Sequence, residues 1–396
     1  MRRLLESILL AEPQMSKSNN RPPTERFHFP NSASLWHDQS RTESLGCHEC
    51  HFKDQCGGLR VEAAAFDCLT YCRCLDKDTC DNICPRNAEH LVARLREIGG
   101  FDLLSVAGAP HIPAPTLVPT IPLIYHSSAR TRAPESSVVA LSLYEFFNKR
   151  DGILRFGSRR ALVDRFKLAP DVRIVLTGTD HDPLLERWWS LADRRTLIRG
   201  LRELDISLIT TPNYSLFDDL PRLDNLYNMK RIALVWSEFQ REGLPCALHL
   251  NARTDRDWDR WIEFLKSRTE IDWVAFEFGT GAGAKSRIHW HVEHLCDVAR
   301  KVRRPLRLVV RGGLNVIHSL RDSYEHVSFI DTTSFIKAQK RQRALLNNNK
   351  LDWEKSPTPI GAPIDDLLDA NIEVIIAVTG GFSKPKAAIS EAACLA

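Results

Sequence analysis

The chain has 396 residues, of which 43% are hydrophobic and 26% charged, and its formal net charge is +4. This length exceeds the roughly 150 residues typical of one domain, so the expectation is one large domain with an accessory one. The small net charge does not mark a general nucleic-acid-binding protein, and no apolar run approaches the ~18 residues needed to cross a bilayer.

The N-terminal segment MRRLLESILLAEP begins with basic residues, but its apolar stretch is short and interrupted by Glu6. It has no convincing cleavage site, so the pattern favours a frayed helix over a signal peptide. The sequence therefore predicts a cytoplasmic protein with no membrane segment and with reduced thiols. Residues 1–45 are interpreted as a flexible leader, because positions 11–45 are rich in Ser, Asn, Pro, Gln and Arg.

Residues 46–100 form a second segment, which contains eight of the eleven cysteines. Thiolates a few residues apart can converge on one soft metal when a tight turn joins them, and Gly57-Gly58 could supply such a turn. All-Cys ligation ending in Cys84-Pro85 is typical of iron–sulfur loops, whereas His48 and His51 would suit zinc. The sequence favours a [4Fe–4S] cluster, with zinc as the alternative. The predicted metal ligands are Cys47, Cys50, Cys56, Cys68, Cys72, Cys74, Cys80 and Cys84.

A Pro-rich connector, APHIPAPTLVPTIP, leads into residues 117–396, where strand-like and helix-like segments alternate. The predicted strands are Ile121–Tyr125, Val172–Thr177, Ile206–Thr211, Pro245–Asn251, Trp273–Phe278, Leu306–Val310, Val327–Asp331 and Ile372–Val378. The predicted helices are Val138–Lys149, Leu184–Leu204, Leu220–Glu242, Asp255–Lys266, Ile288–Val302, Val316–Tyr324, Phe335–Leu345 and Asp365–Asp369. This alternation favours parallel strands joined by crossover helices. Eight such strands predict a (β/α)8 TIM-barrel-like domain, with an open doubly wound parallel sheet as the alternative.

Polar residues collect where the predicted strands end, which is where barrels place their catalytic groups. Glu277 lies in an otherwise apolar strand, so its charge needs a partner or a proton. It is the best candidate for a general base or a ligand; the alternative is a structural ion pair with Arg311 or Lys285. Asp180 and Asp182 flank His181 and could bind a divalent cation, although Asp182 before Pro183 is also a helix cap. His249 is either a ligand or a hydrogen-bonded core histidine.

Glycines in GTGAGAK, RGG and TGG could let backbone amides approach a phosphate, although none has the spacing of a known nucleotide fingerprint. Two basic stretches, Lys301–Arg307 and Lys337–Arg343, could contact nucleic-acid phosphates or could simply form solvated helix faces.

The motifs Pro212-Asn213-Tyr214-Ser215, Asp219-Leu220-Pro221 and Tyr227-Asn228 resemble a family of bacterial and phage proteins catalogued as a domain of unknown function. Members of that family carry Pro-Asp-Phe-Ser, Asp-x-Pro and an aromatic-Asn pair. The resemblance covers about residues 177–281, and here Asn213 replaces the usual acid and Tyr214 the phenylalanine. It implies a phage or mobile-element context and brings no known activity with it.

Together these features predict a metal-containing barrel enzyme that acts on a nucleotide or nucleic-acid-linked substrate. The alternative is a non-catalytic nucleic-acid-binding protein of a mobile element or defence system, in which the metal module and the basic stretches bind nucleic acid. For the enzyme, the predicted catalytic residues are Glu277, Asp180 and His181, and the predicted substrate-binding residues are Asn213, Tyr214, Asn251, Lys285 and Arg311.

Overall fold

Eight parallel strands form the centre of the molecule. A computed structural model describes residues 42–43, 60–61, 97–113, 115–216, 222–284, 287–347, 350–359 and 361–380. We number the central strands in chain order: β1 Thr120–Pro122, β2 Val138–Ser142, β3 Arg173–Thr177, β4 Leu208–Thr210, β5 Cys246–His249, β6 Trp273–Glu277, β7 Arg307–Arg311 and β8 His326–Asp331. Every pairing between them is parallel.

The sheet closes into a barrel. From β2 to β8 each strand pairs with the next along the chain, and β8 pairs with β1. On its other side β1 meets β2 through a parallel bridge between Leu123 and Ala140, where the Ile124 amide donates to the Ala140 carbonyl oxygen at 2.9 Å. The predicted TIM-barrel-like fold is therefore confirmed, and the open doubly wound sheet is excluded.

Helices surround the barrel, and a hairpin of β9 Gln342–Asn347 with β10 Lys350–Lys355 joins the last two of them. Local capping fixes where several helices begin. The clearest case is a capping box in which Thr254 and Asp257 each accept a hydrogen bond from the other's backbone amide at 3.1 Å. The described helices are α1 Arg159–Phe166, α2 Asp182–Trp189, α3 Arg194–Glu203, α4 Arg222–Arg241, α5 Asp255–Ser267, α6 Ile288–Val302, α7 Ile317–Arg321, α8 Ser334–Gln339 and α9 Asp365–Gly380.

Two sequence predictions of secondary structure are wrong. The segment Val138–Lys149 was expected to be a helix, yet it forms β2 followed by the 3-10 helix Leu143–Glu145. Val138 to Leu141 are all fully buried, and a strand covered on both faces shows no alternation that could identify it. Conversely, the apolar run Ile372–Val378 was expected to be a strand but lies within α9.

Two further helices are shorter than the sequence predicts. The segment Leu184–Leu204 divides into α2 and α3, and the segment Phe335–Leu345 ends its helix at Gln339 and continues into β9. In the second case the chain turns at Arg341, whose φ of 52° lies in the left-handed region and ends the helical path.

The lumen of the barrel is apolar in its middle and polar where the strands end. The side chains that fill the middle are Ile121, Leu123, Val138, Ala140, Val175, Leu208, Ala247, Ala275, Val309 and Ile330. Because strand residues alternate between faces, the next inward positions toward the strand ends are polar. These positions are Tyr125, Ser142, Thr177, Thr210, His249, Glu277 and Arg311, and we call them the mouth layer.

No helix joins β1 to β2; a loop takes its place and is fastened to the start of α9. The amide and hydroxyl of Thr131 donate to the Asp365 carboxylate at 2.8 and 2.7 Å. The Glu135 amide donates to the Asp369 carboxylate at 3.0 Å. The last helix therefore covers the junction of the first two strands, with α9 also contacting β1.

Residues 97–113, predicted to belong to the cysteine-rich segment and the connector, pack along α4 and α5. Phe101, Leu103 and Val106 are buried in the core that lies outside the strands. Ser237 donates to the Ala107 carbonyl oxygen at 2.9 Å. This segment is thus part of the barrel's outer layer. Among the described residues, none of the helices has the length and apolarity that a membrane span requires.

Candidate active site at the barrel mouth

Glu277 and Arg311 face each other at the ends of β6 and β7, where they are in register across the two strands. Arg311 Nη1 donates to Glu277 Oε2 at 2.7 Å. The Glu277 side chain is 1% exposed and that of Arg311 22% exposed. The Gly279 amide donates to the other carboxylate oxygen of Glu277. Two residues that the sequence predicted for the site therefore lie in direct contact, inside the mouth layer.

The electrostatics of this pair combine burial with charge. Burial raises the pKa of the Glu277 carboxyl, and the Arg311 charge and the Gly279 amide oppose this effect. The phenol of Tyr125 also lies against Arg311, which donates to it. Burial raises the pKa of Tyr125, Arg311 lowers it, and the carboxylates of Asp331 and Asp180 raise it. The mouth thus gathers titratable groups whose charges act on one another.

His249 lies beside this pair, on the neighbouring strand β5. It is in register with Ala275, which is one inward position before Glu277, and it is 2% exposed. Its backbone amide donates to Thr211 Oγ1 at 2.9 Å, but neither ring nitrogen has a hydrogen-bond partner among the described residues. Burial lowers the pKa of this imidazole to about 3, and the Arg311 charge adds to the effect. His249 is therefore a neutral polar group of the mouth layer.

The predicted catalytic residues Asp180 and His181 occupy the rim above β3. Ser142 Oγ donates to Asp180 Oδ2 at 3.3 Å, and the His181 amide donates to Asp180 Oδ1 at 2.8 Å. The imidazole of His181 is exposed. Asp182, considered as a cation ligand or a cap, is in the first turn of α2 and accepts from Ser215 Oγ at 2.6 Å. Only Asp180 faces the charges of the mouth.

Asn213 and Asn251 bind each other instead of standing free at the mouth. The Asn251 side-chain amide donates to Asn213 Oδ1 and to the Tyr214 carbonyl oxygen, both at 3.0 Å. The Trp261 indole donates to the Asn251 carbonyl oxygen at 2.8 Å. These contacts tie the loop after β4 to the loop after β5. If either side chain also bound a substrate, it would use atoms that already hold these two loops together.

Tyr214 lies in the outer layer of the molecule and not across the mouth. It is 1% exposed, and the Arg231 guanidinium carbon stands 3.8 Å from the centre of its ring. The same guanidinium lies 4.8 Å from the Trp189 ring and 5.1 Å from that of Tyr227. A substrate-binding role for Tyr214 would require this packing to open.

Glycines of the loops after β6 and β7 allow those loops to pack against each other. Gly312 has a φ of 73°, and a Cβ on it would come within 2.5 Å of the Gly279 amide nitrogen. Only glycine fits this approach. The third predicted glycine loop is not at the mouth, because Thr379 and Gly380 end α9 and Thr379 bonds to Thr120 at the start of β1. Lys285 lies outside the described residues.

The sequence predictions missed two groups at the mouth, Tyr125 and Asp331. The alternation Ile121, Leu123, Tyr125 along β1 could have found the first. Asp331 ends β8 and is 1% exposed; its Oδ1 accepts from the amides of Thr333 and Ser334, at 2.8 and 3.2 Å. It starts the turn into α8, and its second oxygen has no partner in the described part of the chain.

The eight predicted cysteine ligands lie outside the described residues. Of their segment the structure describes residues 60–61, which pair with residues 42–43, and residues 97–100. Within the ranges that the structure describes, no group of three or more His, Cys, Asp and Glu side chains is placed to hold a metal ion.

Part of each basic stretch is used inside the fold. Arg304 donates to the carbonyl oxygens of Ile271, Leu265 and Arg268, at 2.6, 3.2 and 3.1 Å. In the second stretch the Lys337 ammonium lies 5.2 Å from the centre of the Trp353 ring, and Arg341 donates to the Pro363 carbonyl oxygen at 3.2 Å. Both stretches therefore contribute to packing.

A scan against models of protein families found no match to this sequence, and a search of curated proteins found none. Matches among solved structures include a proposed lactate oxidase from Pediococcus acidilactici, at 11% identity, covering 70% of this chain and 77% of that chain, with a TM-score of 0.31. A proposed lyase or mutase from Burkholderia cenocepacia matches at 16% identity, covering 63% of this chain and 88% of that chain, with a TM-score of 0.28. The barrel assignment rests on the strand order and register above.

Proposed function

We propose that the chain is an enzyme whose active site is the barrel mouth, and that its substrate carries a phosphate, as a nucleotide or a nucleic-acid-linked group does. The Glu277–Arg311 contact carries this proposal. A buried ion pair is not needed for stability, since well-packed apolar residues often stabilise a core as well or better. A pair at the strand ends of a barrel, where catalytic groups are normally found, favours a chemical role.

In this proposal Glu277 takes a proton from the substrate and later returns it. A carboxyl group whose pKa is raised toward neutrality suits that task, because it must both accept and release the proton. Arg311 holds the anionic group of the substrate beside it and donates to Tyr125, which is placed to carry a second proton. Asp180 faces the same space from the rim, next to the exposed His181.

The end of β7 supports the phosphorylated substrate class. Arg311 is followed directly by Gly312 and Gly313, so backbone and guanidinium lie together at the end of β7, where barrels commonly hold phosphate. The resemblance of residues 177–281 to a bacterial and phage family adds a mobile-element context to this proposal. The internal contacts of the basic stretches favour this enzyme over a non-catalytic nucleic-acid-binding protein.

Binding of a small anion tests the proposal. Inorganic phosphate and adenosine 5′-monophosphate (AMP), each at millimolar concentration, should raise the melting temperature of the wild type. Glu277→Gln should bind both probes more tightly, because Arg311 then loses its internal counter-charge. The double variant Glu277→Gln, Arg311→Met replaces both members of the ion pair, so no unpaired charge stays buried. It should bind neither probe, because the guanidinium is gone. Equal binding by the wild type and the double variant would show that the mouth is not the anion site.

The cysteine-rich segment is proposed to hold a [4Fe–4S] cluster, with a zinc ion as the alternative. Anaerobically purified protein should be brown and contain about four iron and four acid-labile sulfide per chain. Replacing Cys68, Cys72 or Cys74 by Ser should lower both contents, whereas Cys296→Ser, in the barrel, should leave them unchanged. A colourless protein with bound zinc and no sulfide would contradict the cluster.

A further inference from the structure

One polar side chain in the mouth layer has no role in holding the fold together. The two ring nitrogens of His249 have no partner in the part of the chain that the structure describes. The apolar cluster of the lumen on β5, β6 and β7 includes Ala247, Ala275 and Val309. Burying an imidazole without partners costs free energy that a leucine of similar size would not cost. The fold therefore gains nothing from a histidine at this position.

A second histidine is as deeply buried as His249 but lies in another part of the fold, so it serves as a comparison. His291, on α6, is 1% exposed, and its ring nitrogens likewise lack a partner among the described residues. Its ring centre is 5.2 Å from that of Phe276 and 4.7 Å from that of Trp290. Phe276 points to the opposite face of β6 from Glu277, so His291 lies in the aromatic layer outside the barrel. Of these two histidines, only His249 lies on the lumen face of a strand that ends at the mouth.

The surroundings of His249 define what it can offer a ligand. Burial and the nearby Arg311 charge keep the ring neutral, so it has one N–H donor and one acceptor nitrogen. His249 lies one strand away from Glu277 and two strands away from Arg311, in the same layer of the mouth. The part of the ligand that meets His249 therefore lies to the side of a phosphate held by Arg311, toward β5.

We propose that His249 binds the substrate directly, donating from a ring N–H to a carbonyl oxygen or ring nitrogen that lies beside the phosphate held by Arg311, toward β5. This inference rests on the proposed function and makes its substrate class narrower. The substrate is then a phosphorylated compound that also carries a hydrogen-bond acceptor, such as a nucleotide base, and not a simple phosphate ester of an apolar group. A neutral imidazole also suits a developing negative charge on that acceptor, since a donor that keeps its proton can polarise it.

Three variants and two probes test this inference. His249→Leu removes both nitrogens, His249→Gln keeps a donor and an acceptor, and His291→Leu is the matched control outside the barrel. Inorganic phosphate on Arg311 is expected to leave His249 uncontacted two strands away, whereas AMP also presents acceptors at a distance from its phosphate. His249→Leu should bind phosphate as the wild type does but bind AMP about 10- to 100-fold more weakly, the effect of one lost hydrogen bond to a buried partner. His249→Gln should recover part of the AMP affinity, and His291→Leu should bind both probes normally.

The melting temperature of the unliganded variants completes the test. His249→Leu should melt at or above the wild-type temperature, because it removes unpaired polar atoms from the lumen. A fall of several degrees would show that the fold itself uses the imidazole, and it would overturn the inference. Unchanged AMP affinity in His249→Leu would also overturn it while leaving the proposed function intact. If the wild type binds neither probe, the proposed function fails, and the inference fails with it.

Discussion

Glu277→Gln is expected to lower the turnover of a phosphorylated substrate by about 10²- to 10⁴-fold, the range that a general acid–base group supplies. Glutamine has nearly the same size and can still accept from Arg311, so the barrel persists while the proton acceptor is lost. Turnover is measured with nucleotides that bind at the mouth. Glu270→Gln is the matched control, because Glu270 precedes β6 at the opposite end of the barrel and accepts from the Ala109 amide at 3.1 Å.

The pH dependence of that turnover identifies the same group. If Glu277 acts as a base, only its ionised form is active, so the rate falls as the pH drops through its pKa. Burial raises this pKa above the ordinary value of 4.5, and the acid limb of the wild-type profile should lie correspondingly higher. The limb should disappear from the residual activity of Glu277→Gln. A variant that keeps both its rate and the limb would assign the proton transfer to another residue.

Arg231→Met is expected to lower the free energy of unfolding by about 3 kcal/mol, the sum of lost charged hydrogen bonds and cation–π contacts. The Arg231 side chain is 2% exposed and donates to both oxygens of Glu186, at 2.9 and 2.7 Å. It also donates to Asn228 Oδ1 at 3.0 Å. Urea denaturation monitored by tryptophan fluorescence would measure the loss.

Arg194→Met is the control for this effect. Arg194 also lies 4.8 Å from the Trp189 ring and pairs with both oxygens of Glu238, but its side chain is 19% exposed. Because the Arg194 side chain is more exposed than that of Arg231 and lies on one aromatic ring in place of three, we expect a loss of about 1 kcal/mol. Equal losses of unfolding free energy in the two variants would show that the burial of Arg231 among three aromatic rings adds nothing to stability.

Arg231 also explains the spacing of Tyr214, Tyr227 and Asn228 along the chain. Tyr214 and Tyr227 lie on the guanidinium, and Asn228 accepts from it. The Asn228 side chain in turn donates to the Ser215 carbonyl oxygen at 2.7 Å. Of the motif residues that the structure describes, Tyr214, Tyr227 and Asn228 therefore meet around one arginine that the motif does not contain. Their shared role in this chain is to hold the loop after β4 against α4.

The sequence could predict Glu277 and Arg311 because a charge in an apolar strand is conspicuous and must find a partner. It could not show that Tyr214 turns away from the mouth, since the direction of a loop side chain depends on α4, many residues later. Nor could it separate β2 from a helix. The errors at Val138–Lys149 and Ile372–Val378 cancelled in the strand count, so the barrel was predicted correctly with one strand misplaced.

The fastening of the β1–β2 loop to α9 has a consequence for the order of folding. Thr131 and Asp365 are 234 positions apart in the chain, so this contact forms only after most of the protein has been synthesised. Until then β1 and β2 leave the ribosome without the helix that covers their junction, and their apolar edges stay open to other chains. Contacts of such long range slow folding, because the entropy of closing the loop is lost before the contact forms. The growing chain therefore depends on α9 to shield β1 and β2.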